Sequence, residues 1–194
     1  MKIVGNDVGE VERGLVAGEL WCPDCGGRLR PWGSARWRAV GRLEGEVRRR
    51  PRRGRCADCA STHVLISADS LLRRRDLAEV IGAALAAKAS GVGHRRVATA
   101  VGVPVSTVRG WLRRFAANAD AIRVWFTVLA HGLDPMLAAV VSTASALGDA
   151  VEAIAVAARA ASLRLAPVKP WSFASAASAG RLLSNTGWPW APAG

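Results

Sequence analysis

Two Cys-x-x-Cys pairs constrain the fold of this chain more than any other feature. The first lies in WCPDCGG at residues 21–27 and the second in RCADCA at residues 55–60, with thirty residues between the pairs. Zn²⁺ is bound tetrahedrally by two such pairs when strands bring their turns together. The gap is longer than in the shortest zinc ribbons and suits a ribbon that carries an extra hairpin. The spacing therefore predicts one structural Zn²⁺ held by Cys22, Cys25, Cys56 and Cys59.

A disulfide pair and a thioredoxin-like redox site are the alternatives for these cysteines. A redox site uses one Cys-x-x-Cys in a βαβ setting rather than two matched pairs. Disulfides are disfavoured in the cytoplasm. We expect that compartment because the N-terminal residues lack a secretory apolar core and no run reaches the ~20 apolar residues of a membrane span. His63 is a further possible ligand, but its run THVLIS favours a strand residue.

The charge of the chain is concentrated in and after the cysteine-bearing segment. The formal net charge is +12, and residues 22–75 carry fourteen basic against five acidic side chains, whereas residues 119–194 are nearly neutral. A basic excess of this size indicates a polyanionic partner, with nucleic acid as the leading candidate. The run VRRRPRRGRC contains Pro51 and Gly54, which disfavour a helix. We predict phosphate contacts from its arginines, with a solvated loop as the alternative; the predicted contacts are Arg49, Arg50, Arg52 and Arg53.

Two tryptophans, Trp32 and Trp37, lie between the cysteine pairs. In so small a sheet, tryptophans are more often part of the core. The alternative is that they stack on bases of a single strand. The period-two alternation of SARWRAV predicts a strand through Trp37.

The run HRRVATAVGVPVSTVRGWLRRF has the pattern of a helix-turn-helix that begins at His94. Ala98 is small enough for two helices to cross closely, and Gly102 suits the turn, where a positive φ is expected. A short amphipathic helix precedes the motif, with Asp76 as its expected N-cap. The predicted core positions of the motif are Val97, Val101, Val103, Val108, Trp111 and Leu112.

The second helix of this motif is the candidate recognition helix. It begins near Pro104 and Val105, and its inward residues leave Val105, Ser106, Arg109 and Arg113 toward solvent. In a major groove, Arg109 suits guanine, Ser106 a base or phosphate, and Val105 a thymine methyl group. A helical hairpin that contacts protein is the alternative. The arginines expected to meet phosphates are Arg95, Arg96, Arg113 and Arg114.

Three runs together resemble a known group of proteins. They are CPDCGGRLRPWGSARWR, RPRRGRCADCASTHVL and AEVIGAALAAKASGVGHRRVATAVGVPVSTVRGWLRRF, and the likeness extends to FASAASAGRLLSNT near the end of the chain. The group consists of actinobacterial zinc-ribbon and helix-turn-helix proteins found in the company of mobile elements. It is similar to the DNA-binding front ends of insertion-sequence transposases. The resemblance implies the fold and DNA binding, and it carries no activity over to this chain.

The last third of the chain has a helical pattern and no catalytic one. We predict a helix over 121–131 closed by Gly132, a second opened by Asp134 and Pro135, and a third beginning near Asp149. Residues 172–183 are expected to form one more, ahead of a mobile end with Trp188 and Trp190. A transposase catalytic domain needs three spaced carboxylates on an α/β scaffold. We therefore expect no enzyme activity and no small-molecule substrate.

The sequence as a whole predicts an α+β, mainly α protein. Its expected segments are a zinc ribbon at 1–70, a helix-turn-helix domain at 71–118, a helical bundle at 119–166 and a Pro-broken tail at 167–194. The expected function is sequence-specific binding of double-stranded DNA by a nucleoid-associated mobile-element accessory or transcriptional regulator. A homodimer or a transposase partner remains open. The alternative is an RNA-binding or polymerase-associated zinc-ribbon protein.

Overall fold

The computed structural model describes residues 1–184, and the expectations for Trp188 and Trp190 lie outside them. This part of the chain is α+β, as predicted. Its strands are β1 (Lys2–Val4), β2 (Leu29–Ser34), β3 (Arg38–Arg42), β4 (Gly45–Arg49), β5 (Arg52–Cys56) and β6 (Thr62–Ser67). Its helices are α1 (Val8–Ala17), α2 (Ala78–Ala89), α3 (His94–Val101), α4 (Val105–Ala116), α5 (Ala119–Leu133), α6 (Ala146–Arg164) and α7 (Pro170–Ala177).

The N-terminal sheet has the order β1-β6-β5-β2. Strand β5 is antiparallel to both β2 and β6, and β1 adds a parallel strand at the edge. Helix α1 covers one face, with Leu15 fully buried against Leu29 and Leu65. A Cβ on Gly54 would lie only 3.2 Å from Leu15, so glycine lets the helix approach the sheet. The residues before the first cysteine pair are therefore part of the ribbon.

The extra hairpin between the cysteine pairs is formed by β3 and β4. It connects the ribbon to the helices, because Gly41 exchanges backbone hydrogen bonds with Arg75 and Leu77 (3.2 and 3.0 Å) and Val40 enters the helical core. The strand predicted through Trp37 is wrong in its bounds. The β2–β5 register shifts between Pro31 and Ser34, the chain leaves the sheet after Ser34, and β3 begins only at Arg38.

Helices α2 to α7 share one hydrophobic core. The five inward positions predicted for the helix-turn-helix are buried, and Val103 packs against them half-buried. Helix α6 presents alanines to α5, which allows the two backbones to pack closely around Phe126 and Ile154. Besides Val40, the same cluster extends from Leu71 to Leu183, so it includes residues of all three segments predicted after the ribbon.

The helix predicted to begin at Asp134 and Pro135 is wrong. Helix α5 continues through Gly132 to Leu133, and residues 134–145 contain no helix. The Asp149 carboxylate accepts hydrogen bonds from the N–H of Thr143 and the hydroxyl of Ser142, which holds this segment in an irregular path. Helix α6 instead begins at Ala146, close to the expected start.

Two further expectations differ from the structure. Leu77, not Asp76, occupies the N-cap of α2, and no side chain caps that helix. The last described helix, α7, begins at Pro170 and ends at Ala177, so it starts and stops earlier than predicted. None of the helices in residues 1–184 is long and apolar enough to cross a membrane.

Candidate metal centre and nucleic-acid interface

The four cysteines come together between two turns of the ribbon. Cys22 and Cys25 precede β2, Cys56 ends β5 and Cys59 lies before β6. The four sulfur atoms lie within 4.8 Å of one another. The Sγ atoms of Cys22 and Cys59 are 3.8 Å apart, and those of Cys25 and Cys56 are 3.5 Å apart. Zn–S bonds of about 2.3 Å in a tetrahedron place sulfurs about 3.8 Å apart. The cluster therefore has the size of a Cys₄ zinc site, and its thiols are not joined as disulfides.

The backbone beside the sulfurs is shaped for this cluster. The N–H of Gly27 donates to Cys25 Sγ at 3.4 Å. A Cβ at Gly27 would lie 2.9 Å from Cys56 Sγ, so a larger residue there would displace the ligand sulfur. The lack of space for a side chain beside the Cys56 sulfur explains why residue 27 is a glycine.

Two of the four thiols, those of Cys25 and Cys59, have pKa values shifted in opposite directions. The N–H of Gly27 favours the thiolate of Cys25, but the sulfurs of Cys59 and Cys56 outweigh it and raise the pKa of Cys25 to about 12. The hydroxyl and N–H of Ser61 lower the pKa of Cys59 to about 6. The thiolate of Cys59 thus forms readily, whereas the thiol of Cys25 resists ionisation. A divalent cation is the group that allows such a cluster to become fully deprotonated.

His63 lies directly behind the cluster. It is a strand residue of β6, as expected, and its buried Nε2 lies 3.3 Å from Cys22 Sγ and 3.6 Å from the Asp24 carboxylate. Burial and the positive N-terminus lower the pKa of His63. A neutral imidazole protonated at Nε2 can donate to the Cys22 sulfur and orient it. Cys22, Asp24 and His63 also form a second, smaller group of potential ligands.

Helices α3 and α4 form the predicted helix-turn-helix. Gly102 ends α3 in the left-handed conformation, with φ of +69°, and Val105 begins α4. The predicted solvent face of α4 is exposed at Val105, Ser106, Arg109 and Arg113. In the described part of the chain, no carboxylate pairs with the arginines of α3 or with Arg109 and Arg113.

A groove of about 450 Å³ follows this face of α4. Lys88 from the end of α2 and His94 from the start of α3 line it together with Ser106, Arg109 and Arg113. Lys88 and His94 were not among the predicted site residues. The positive charge of Lys88, six residues before the motif begins at His94, was the available signal. The groove is therefore a basic site built by three helices.

Arg114 differs from Arg113, its neighbour in the sequence. It is half-buried, and its guanidinium donates to the carbonyl oxygen of Gly110 at 3.1 Å. Its side chain therefore folds back along α4. The predicted phosphate contact of Arg114 stays a prediction.

Two of the four ribbon arginines predicted to contact phosphate are held in intramolecular ion pairs. Arg49 binds both carboxylate oxygens of Asp69 at 2.7 Å. Arg52 binds both oxygens of Glu12 at 2.7 and 2.9 Å. Arg50 is exposed, and Arg53 is half-buried with its Nε unpartnered in the described residues. Arg49 and Arg52 thus stabilise the fold through ion pairs, which the sequence pattern did not indicate.

Arg49→Met is expected to lower the free energy of unfolding by about 1–3 kcal/mol, because it leaves the mostly buried Asp69 carboxylate without its cation. Burial opposes ionisation of Asp69, but hydrogen bonds from Arg49 and Ser67 outweigh it and hold its pKa below the ordinary value. That stabilisation is present at neutral pH and is lost as pH falls through the folded-state pKa. The difference in free energy of unfolding between the native protein and the variant, measured by urea unfolding, should therefore become smaller below about pH 4. Arg50→Met is the matched control, and equal stability of both variants would contradict the assignment.

The tryptophans of the ribbon are exposed, so the expectation that they form its core is wrong. Trp32 and Trp37 are 50% and 56% exposed, and Trp21 is 52% exposed. Each lies beside an arginine guanidinium: Arg55 at 4.7 Å from Trp32, Arg48 at 5.7 Å from Trp37 and Arg28 at 5.7 Å from Trp21. The core is filled instead by α1, whose Leu15 and Val11 cover the other face of the sheet.

A family model described as a homeodomain-like domain matches residues 72–123. The match spans α2, α3, α4 and the beginning of α5, which is the part of the chain where the helix-turn-helix was predicted. This is a DNA-binding helix-turn-helix type common in transposases. It covers less than half of the chain. No curated protein and no solved structure matches the chain significantly.

Proposed function

We propose that this protein binds double-stranded DNA sequence-specifically, with α4 in the major groove. The observation that carries the proposal is the exposed face of α4, whose arginines face solvent without a carboxylate partner within residues 1–184. The homeodomain-like match supports the same function. An arginine left unpaired on a rigid helix retains all its donors for bases and phosphates.

The residues of this interface have distinct roles in the proposal. Arg109 reads a guanine through its two parallel donors, and Ser106 and Val105 contact the neighbouring base edges. Arg113 at the rim, with Arg95 and Arg96 from α3, contacts phosphates and sets the register of the helix on the duplex. Lys88 and His94 line the same groove and add cationic donors toward the backbone.

The zinc ribbon serves as a second basic unit. Zn²⁺ at the four cysteines holds the ends of β2, β5 and β6 together, so the arginines outside the ion pairs are presented from a rigid sheet. Arg50 and Arg53 remain the proposed phosphate contacts of the run at 48–55. Arg49 and Arg52 contribute to that surface by stabilising it.

The biological role that we propose is that of a mobile-element accessory or a transcriptional regulator, without catalytic activity of its own. The helix-turn-helix type supports the first of these, and the same binding chemistry serves both. A homodimer or a transposase is the proposed protein partner. The exposed ribbon tryptophans favour a second candidate, an RNA-binding zinc-ribbon protein, because unpaired bases stack on indole rings.

Binding-site selection with the zinc-loaded protein separates the two candidates. From a random duplex library we expect enrichment of one sequence, bound at least about 10³-fold more tightly than random duplex. Single-stranded RNA should compete poorly with that duplex, since the α4 contacts require a major groove. Failure to enrich any duplex, together with effective competition by RNA, would favour the second candidate.

A further inference from the structure

One face of the ribbon sheet is left uncovered. Alternate residues of a strand point to opposite faces. Leu29, Gly54, Cys56 and His63 are buried on the face that α1 covers. The register pairs Arg30 with Arg55 and Arg55 with Thr62, which places these three on the opposite face. We call this opposite face of β2, β5 and β6 the open face.

Two exposed indoles stand on the open face. Trp32 lies between Pro31 and Ser34, where the β2–β5 register shifts, so the contact of its ring places it: the ring lies 4.7 Å from the guanidinium of Arg55, on the open face. Trp21 pairs with Arg28 in an antiparallel bridge next to β2. Cross-strand partners share a face, and Arg28 precedes Arg30 by two residues. Trp21 therefore lies beside Arg28 at one end of a row of arginines, and Trp32 lies beside Arg55 at the other end, with Arg30 in the same row.

The arginines of the open face are not neutralised by carboxylates within residues 1–184. These arginines are Arg28, Arg30, Arg53 and Arg55. The side chain of Arg30 bends toward the end of α1, where its guanidinium lies beside Gly18 and donates a 3.4 Å hydrogen bond to the carbonyl oxygen of Val16. The Nε of Arg53 is buried and has no partner in residues 1–184. The face thus combines concentrated positive charge with two half-exposed aromatic rings.

This combination matches an unpaired nucleic-acid strand. Indole rings stack on the faces of bases, and guanidinium groups bind the phosphates between them. Base faces are hidden in a duplex, so a stacking surface has no use on intact double-stranded DNA. We infer that the open face binds single-stranded DNA, with bases stacked on Trp21 and Trp32. The choice of DNA rather than RNA rests on the proposed function, because α4 of the same chain is the duplex interface.

The inference is tested with oligo(dT), which forms no duplex, and with a blunt duplex. Trp21→Leu/Trp32→Leu removes both rings but keeps apolar side chains, and Trp21→Phe/Trp32→Phe keeps an aromatic face. We expect the leucine variant to bind oligo(dT) at least about tenfold more weakly than the native protein. The phenylalanine variant should retain most of the affinity. Neither variant should change binding to the duplex.

Three controls make the result specific. Trp37→Leu removes an equally exposed ring outside the open face and should leave the affinity for oligo(dT) unchanged. Zinc content and thermal unfolding show whether each variant folds, and Trp32→Leu alone carries the test if the double variant does not. Arg109→Ala should keep native affinity for oligo(dT), so a failure of the duplex proposal is distinguishable from a failure of this one.

Several results would overturn the inference. If the leucine variant bound oligo(dT) with native affinity, the inference would be wrong. It would also be wrong if Trp37→Leu lost as much affinity for oligo(dT) as the leucine variant. A loss seen with oligo(U) but not with oligo(dT) would assign the face to RNA instead. Equal losses of the leucine and phenylalanine variants would show that the rings do not act by stacking.

Discussion

Replacing Cys22 with serine is expected to abolish zinc binding and unfold the ribbon. The small core of the ribbon contains few apolar side chains, and two of its buried members are the proposed ligands Cys22 and Cys56 themselves. Structural Zn²⁺ contributes about 10–16 kcal/mol of binding free energy that is available only to the folded chain. This is as large as the whole stability of a typical domain, about 5–15 kcal/mol. We therefore expect the sheet to depend on the metal for its fold.

Metal analysis and near-ultraviolet circular dichroism measure this effect. The native protein should contain about one Zn²⁺ per chain, and Cys22→Ser and Cys56→Ser should lose both the metal and the tryptophan signal of the ribbon. Asp24→Asn is the matched control, because Asp24 belongs to the second group of potential ligands and lies outside the four sulfurs. It should keep its zinc. A metal-free native protein with an intact near-ultraviolet spectrum would contradict a structural zinc.

Replacing Arg109 with alanine is expected to remove much of the sequence preference of the protein. Arg109 is exposed at the centre of the α4 face and lines the basic groove beside Ser106. A bidentate arginine–guanine contact discriminates against the wrong base by about 1–3 kcal/mol, whereas random duplex gains little from it. The ratio of Kd values for random and selected duplex should therefore fall by roughly five- to 150-fold.

Arg113→Ala is the matched control for this experiment. Its side chain lies one turn further along the same face, where we propose a phosphate contact. The change should weaken selected and random duplexes alike and reduce the slope of log K against log salt by about 0.9. If Arg109→Ala leaves the selectivity ratio unchanged while Arg113→Ala reduces it, Arg109 is not the base-reading residue.

Much of the fold was predictable because it follows from the spacing of nearby residues or from the chemistry of particular side chains. The register of the helix-turn-helix from His94 follows from apolar residues three and four apart and from one glycine at the turn, all within a few residues. The cysteine cluster follows from two short spacings, since thiolates in that pattern share a metal. The prediction of a helix at Asp134 was wrong because an N-cap pattern favours a helix only where no tertiary contact holds the segment in another conformation. Here Asp149, fifteen residues later, binds the backbone of Thr143 and keeps the segment out of a helix.

The sequence by itself determined which cysteines form the cluster and which helix carries the exposed arginines, because these depend on spacing along the chain. Only the tertiary structure decided which ribbon arginines are free. Arg49 meets Asp69 across twenty residues and Arg52 meets Glu12 across forty. It also decided that Trp32 faces solvent, because α1 covers the other side of the sheet. The physical reason is that a run of residues specifies its own backbone period, whereas the partner of a charge and the covered face of a strand depend on elements distant in the sequence.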